Sequence, residues 1–202
     1  MGECDLKLVA EVRPPDVGGR TVQATSVSIS GNLAFVSYNV KGETYAGALN
    51  VFDVSKPAEP KLISQALFQN TDINAVAYDS GEVFLAEATG DSGFASAAVL
   101  ERVSAPQGKL GLEKNLRVAL SSFAGTAVAT QGGRIYATSG DGGGLFIFDL
   151  KSVSLLSSAV LADARSVDVA GDKVAVVQGT TGRLAVLDRS SAGLLSSFSF
   201  EG

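Results

Sequence analysis

No histidine occurs among the 202 residues. Imidazole is the usual general acid or base near neutral pH and the commonest metal ligand, so Ser-His-Asp and Cys-His catalysis and His-dependent zinc or haem sites are excluded. Cys4 is the sole cysteine, which leaves no intrachain disulfide and no cysteine-based metal cluster. It reads as a lone thiol near the terminus, with the remnant of a lipid-acylation site as the alternative. Tryptophan is absent too, and with it one common platform for stacking bases or sugars. No run approaches the roughly 18 apolar residues of a membrane helix, so no transmembrane segment is expected. The start Met1–Asp5 lacks the apolar stretch of a signal peptide. With a net charge of −5 and scattered basic residues, neither nucleic acid nor an anionic membrane surface is expected as a partner.

What is present is apolar and repetitive. Hydrophobic residues make up 46% of the chain, enough to offset the entropy of ordering, and 23 glycines punctuate it. Four aligned units emerge. Their first runs are Ser26–Ser30, Ala75–Asp79, Thr126–Thr130 and Ser166–Ala170. Each is followed by a tight-turn pair, Gly31-Asn32, Ser80-Gly81, Gly132-Gly133 and Gly171-Asp172, residue types that tolerate positive φ. Second runs begin at Leu33, Val83, Ile135 and Val174. Third runs end at Asp53, Glu101, Asp149 and Asp188, and a fourth run closes each unit.

Four strands in about 40–50 residues is the period of a propeller blade. The third runs Leu145–Phe148 and Leu184–Leu187 are continuously apolar, as strands covered on both faces should be. The first runs alternate small residues such as Ala75, Ala77, Ala127 and Ala129 with larger ones, as strands converging on an axis require. The expectation is an all-β propeller of four-stranded antiparallel blades, over residues 24–68, 72–120, 124–161 and 164–200. An extra strand over 6–12 brings the count to seventeen. That unpartnered strand suggests part of a larger ring, completed by further blades or by a second copy.

Ala48–Pro60, with Asp53-Val54-Ser55 followed by Pro57 and Pro60, resembles the LVIVD-repeat family of bacterial and archaeal β-propellers. The likeness is good over this one blade, partial at Phe148-Asp149-Leu150 and reduced to traces at Val103–Pro106. The resemblance implies a secreted or envelope-exposed propeller with a binding role, and brings no catalytic residues.

In propellers the loops joining second to third strands share a face with the connections between blades, and that face usually takes the ligand. Here it gathers Tyr45, Asp72, Asp91, Phe94, Asp141, Arg165 and Arg183 as candidate binding residues, with Glu43 beside them. Ser139–Phe146 resembles the Ser-x-Asp-x-Gly-x-x-aromatic box of sialidase-type propellers. That box joins third and fourth strands there and second and third here, so it reads as a Gly-rich turn. No helix follows it, which excludes a phosphate loop. Asp91 and Asp141 lack the dense oxygen spacing of a calcium loop, and neither metal nor cofactor is expected. The acids ending the third runs are spread around the ring and read as turn caps rather than as a glycosidase pair. The reading is a non-catalytic binding or scaffolding propeller for a protein or glycan partner; the alternative is a carboxylate-type glycosidase or lyase using acidic loop residues.

Overall fold

The computed structural model describes residues 7–42 and 44–200. Four antiparallel sheets follow one another along the chain, each with its strands in simple sequence order. The first blade holds β3 (Gln23–Ser30), β4 (Leu33–Asn39), β5 (Gly47–Asp53) and β6 (Lys61–Phe68). The second holds β7 (Thr71–Asp79), β8 (Glu82–Thr89), β9 (Ala98–Ser104) and β10 (Gly111–Ala119). The third holds β11 (Gly125–Gln131), β12 (Arg134–Ser139), β13 (Gly144–Asp149) and β14 (Leu155–Val160). The fourth holds β15 (Ala164–Ala170), β16 (Lys173–Gln178), β17 (Arg183–Asp188) and β18 (Leu194–Ser199). Four such meanders packed in series are β-propeller blades.

The expected extra strand is not there. Lys7–Val12 form no strand, and Leu8 and Val9 are exposed; Leu6 and Cys4 lie outside the described residues. The pattern was apolar enough, but among the described residues no strand offers it a ladder, and Pro14 and Pro15, one residue beyond it, lack the N–H that pairing needs. Instead β1 (Asp16–Val17) and β2 (Arg20–Thr21) form a small hairpin closed by Gly18 and Gly19, both at positive φ. Val17 and Val22 pack it against Tyr38, Ala46 and Ala48 of the first blade.

The four tight turns form where the sequence places them, with positive φ at Gly31, Ser80, Gly81, Gly132, Gly133 and Gly171. They hold inner strands β3, β7, β11 and β15 against their second strands in a register that puts small residues toward the next blade. Burial is concentrated between successive blades. Phe35, Leu49 and Val51 meet Val76, Val83 and Leu85. Phe84 and Leu100 meet Val128, Ile135 and Phe148, and Tyr136 and Ile147 meet Val174 and Leu187. No such apolar cluster joins the fourth blade to the first among the described residues, so the blades make an open arc.

Three of the four strand-end acids cap their turns. Asp53 Oδ1 accepts the Ser55 N–H at 2.8 Å, Asp149 Oδ1 those of Lys151 and Ser152, and Asp188 Oδ1 those of Ser190 and Ser191. The hydroxyls of Ser55, Ser190 and Ser152, together with these N–H groups, favour the charged form and hold all three carboxyls below the usual range. Glu101 departs from the pattern and is buried among charges described below.

Candidate functional site

The loops between second and third strands are tied to the connections that enter each blade, which puts both sets at one end of the arc. The Gly90 N–H donates to the Asn70 carbonyl, Gly140 to Ala124, and Gly179 to Asp163, at 2.9–3.0 Å. Between blades, Asn39 Nδ2 donates to Asn74 Oδ1 at 3.0 Å, and the Ala46 N–H donates to Asp72 Oδ1 at 2.9 Å.

Asp72 is therefore a loop anchor. Burial pushes its carboxyl up, while the N–H groups of Ala46 and Val40 pull the other way. Asp163 plays a similar part in the fourth blade, accepting from Thr180 N–H and Oγ1 and meeting Arg165 Nε at 2.5 Å.

Asp91 and Phe94 do come together, around an arginine the sequence reading passed over. Arg117 of β10 places Nη1 3.4 Å from Asp91 Oδ2, and its guanidinium carbon lies 4.7 Å from the Phe94 ring centre. Tyr45 lies over the same loop, its ring close to Gly90. Beneath, Arg117 Nη2 donates to Glu87 Oε2 at 3.2 Å and Nε faces Glu101 Oε2 at 3.1 Å, while Asn115 Nδ2 donates to Glu101 Oε1 at 2.7 Å. Both glutamates are buried. Burial first, and the neighbouring Glu101 next, push the Glu87 carboxyl well above the usual range. A proton on Glu87 leaves one carboxylate below the guanidinium and removes a buried excess charge. Two acids thus converge, but inside the sheet packing and out of reach of a substrate. Two acids on one face of neighbouring, largely apolar strands, Glu87 on β8 opposite Val99 and Glu101 on β9 opposite Leu85, were the available signal for a buried counter-ion.

The axial mouth has a different character. Asn74, Phe123, Ala124, Thr126 and Arg165 line a cavity of about 310 Å³. Phe123 is 53% exposed and its ring lies on Gly140, where a Cβ would approach it to 2.9 Å. The preceding Ser122 has φ 116, a costly conformation for a residue with a side chain, held by its Oγ donating to the Asp141 carbonyl at 2.7 Å. Asp141 itself turns its carboxylate to the Gly142 N–H. Arg165 is at the mouth, and Arg183 starts β17 as an exposed residue apart from it. Glu43 lies outside the described residues. Phe123 escaped the sequence reading because it stands alone between small residues, Ser121-Ser122 before it and Ala124-Gly125 after it, outside any repeat position.

No family model matches the chain, and no curated protein matches it. Solved structures do. The computationally designed Ika4 protein matches with TM-score 0.60 at 16% identity, over 86% of this chain and 95% of that one. The WD40 β-propeller domain of Doa1 matches with TM-score 0.63 at 13% identity, over 92% of this chain and 57% of that one. A putative 6-phosphogluconolactonase from Bacteroides uniformis matches with TM-score 0.64 at 15% identity, over 88% and 57%. The chain thus spans less than two thirds of the length of the last two. At these identities the likeness defines the class, a β-propeller of four-stranded blades, and nothing more specific. Among the described residues no helix is long and apolar enough to cross a membrane.

Proposed function

We propose that this propeller is a non-catalytic binding module that takes a protein or glycan partner on its loop face, centred on Phe123. The observation that carries the reading is an exposed aromatic ring, presented by a strained Ser122 at the axial mouth beside Arg165, Asn74 and Thr126. Aromatic and guanidinium groups dominate recognition of proteins, and a flat apolar ring suits the face of a sugar. Asp163, the acid that meets Arg165 of the mouth, is committed to it and to Thr180. The glycosidase or lyase alternative draws on the exposed loop acids, of which Asp91 is paired with Arg117 and Asp141 accepts from the Gly142 N–H, while the two acids that do converge, Glu87 and Glu101, are sealed in the sheet packing. The likeness of the Asp53–Pro60 segment to LVIVD repeats supports placing the protein outside the cytoplasm, which fractionation of expressing cells tests.

The functional test is a glycan array and a displayed random-peptide library, probed with wild type and Phe123→Ala. Ligands retained by wild type and lost at least about tenfold by the folded variant support the reading. Hydrolysis of chromogenic glycosides that survives Phe123→Ala but is lost in Asp91→Asn or Asp141→Asn overturns it.

A further inference from the structure

Each inner strand carries one extra residue at the same place. The register slips between Ala24 and Ser26, Ile73 and Ala75, Gly125 and Ala127, and Ala164 and Ser166, so the bulged residues are Thr25, Asn74, Thr126 and Arg165. Three of them do the same work. Thr25 Oγ1 donates to the Ile73 carbonyl at 2.7 Å, Asn74 Nδ2 to the Gly125 carbonyl at 2.8 Å, and Thr126 Oγ1 to the Ala164 carbonyl at 2.7 Å. Each of the first three blades therefore reaches forward from its bulge to the carbonyl just before the bulge of the next. The series leaves one donor over, Arg165, whose Nε meets Asp163 and whose Nη groups have no partner among the described residues. It also leaves one acceptor, the Ala24 carbonyl, to which no described side chain donates.

The faces behind these two groups repeat the same asymmetry. Val76 and Val128 are 4% and 9% exposed against the preceding blade, while the corresponding Val27, and Ile29 two residues on, are 58% and 68% exposed. On the forward side, Ser37, Ala86 and Thr138 are fully buried, and the corresponding Val177 is 42% exposed, with Phe198 exposed on the same face.

We infer that the forward face of the fourth blade docks on the rear face of the first blade of a second copy, so that two chains close one eight-bladed ring. The occupant is a second copy because each end carries the half of the inter-blade contact that the other lacks: Arg165 for the Ala24 carbonyl, and Val177 and Phe198 for Val27 and Ile29. A head-to-tail contact of this kind closes when its rotation divides the circle, and two four-blade arcs give eight blades, within the observed range. The hairpin β1–β2 already covers Val36, Tyr38 and Ala48, so the partner seats on the lower, inner half of the face. The aromatic that fills two of the internal gaps as Phe35 and Phe84, and the third as Tyr136, is Ala175 in the last blade, which makes this contact looser than the internal ones.

The experiment is analytical ultracentrifugation of the whole chain from about 1 to 100 μM, a range wide enough for a micromolar contact. A species of twice the 20.6 kDa chain mass that grows with concentration is expected. Ile29→Lys and Val177→Glu, each checked for unchanged circular dichroism, should each sediment as monomers. Mixing the two should restore the dimer, since one contact is then intact and the other places lysine against glutamate. A wild-type monomer throughout the range, dimers indifferent to both substitutions, or monomers that stay apart on mixing overturn the inference. Phe123→Ala leaves this readout untouched, so failure here is distinct from failure of the binding reading.

Discussion

Arg117 holds two buried glutamates by one guanidinium, and removing it strands both. Arg117→Met is expected to cost about 3–5 kcal/mol in urea denaturation at neutral pH. The raised Glu87 carboxyl has a pH signature of its own. The unfolded chain releases this proton near the ordinary value of 4.5, whereas the folded chain keeps it, so Glu87 lowers stability progressively as pH rises from there. Denaturation of Glu87→Gln across pH 4–8 should show a flatter profile than wild type; identical profiles would contradict it. Asp53, Asp149 and Asp188 work in the opposite sense. Their stabilisation is complete above the ordinary value of 3.8 and is lost as pH falls below it, so Asp188→Asn should lose less stability than wild type between pH 4 and 2. The capping role of these aspartates was legible in the sequence because it depends on neighbours two and three residues away. The fate of Glu101 was not, because it depends on Arg117 across a sheet.

At the scale of the strand and the turn, two kinds of glycine differ in what they permit. At Gly31 the turn needs φ 56 but the surrounding space is empty, and Gly31→Ala should cost only about 1 kcal/mol in thermal denaturation. Gly47 has ordinary backbone angles, yet a Cβ would stand 2.6 Å from the Thr71 carbonyl and 2.9 Å from the Ile73 nitrogen of the second blade. Gly47→Ala must separate two blades and should cost more than Gly31→Ala, about 1–3 kcal/mol; equal effects would mean the blades yield freely. Phe84→Ala empties the second inter-blade core and should cost about 3–5 kcal/mol. The blades themselves were readable because alternation, tight-turn chemistry and strand-end acids are all local. The mistaken strand over 6–12 shows the limit of that reading: an apolar run becomes a strand only when another edge is there to receive it.

Across the whole molecule, each blade packs on its sequence neighbours, and the apolar contacts run forward in one direction from the first to the fourth. The mouth at Phe123 was invisible in the sequence because it is assembled from three blades, Asn74, Phe123 and Arg165 each entering from a different one. The outer rim is just as uneven. In the second blade β10 skips from Gly111 to Leu116 in its pairing and carries Glu113 and Lys114, so that edge is broken and charged. By contrast β14 and β18 read Leu-Leu-Ser-Ser-Ala-Val and Leu-Leu-Ser-Ser-Phe-Ser, uncharged, with Leu155, Leu156, Leu194, Leu195 and Phe198 exposed. Free strand edges of this composition recruit further strands. Ser158→Lys and Ser197→Lys, both at exposed positions, should delay the rise of light scattering on prolonged incubation near the unfolding temperature, without moving that temperature by more than a degree or two. The two blades at the carboxyl end are in this sense the perishable half of the arc, and storage life will be set by their rims long before the packing between blades gives way.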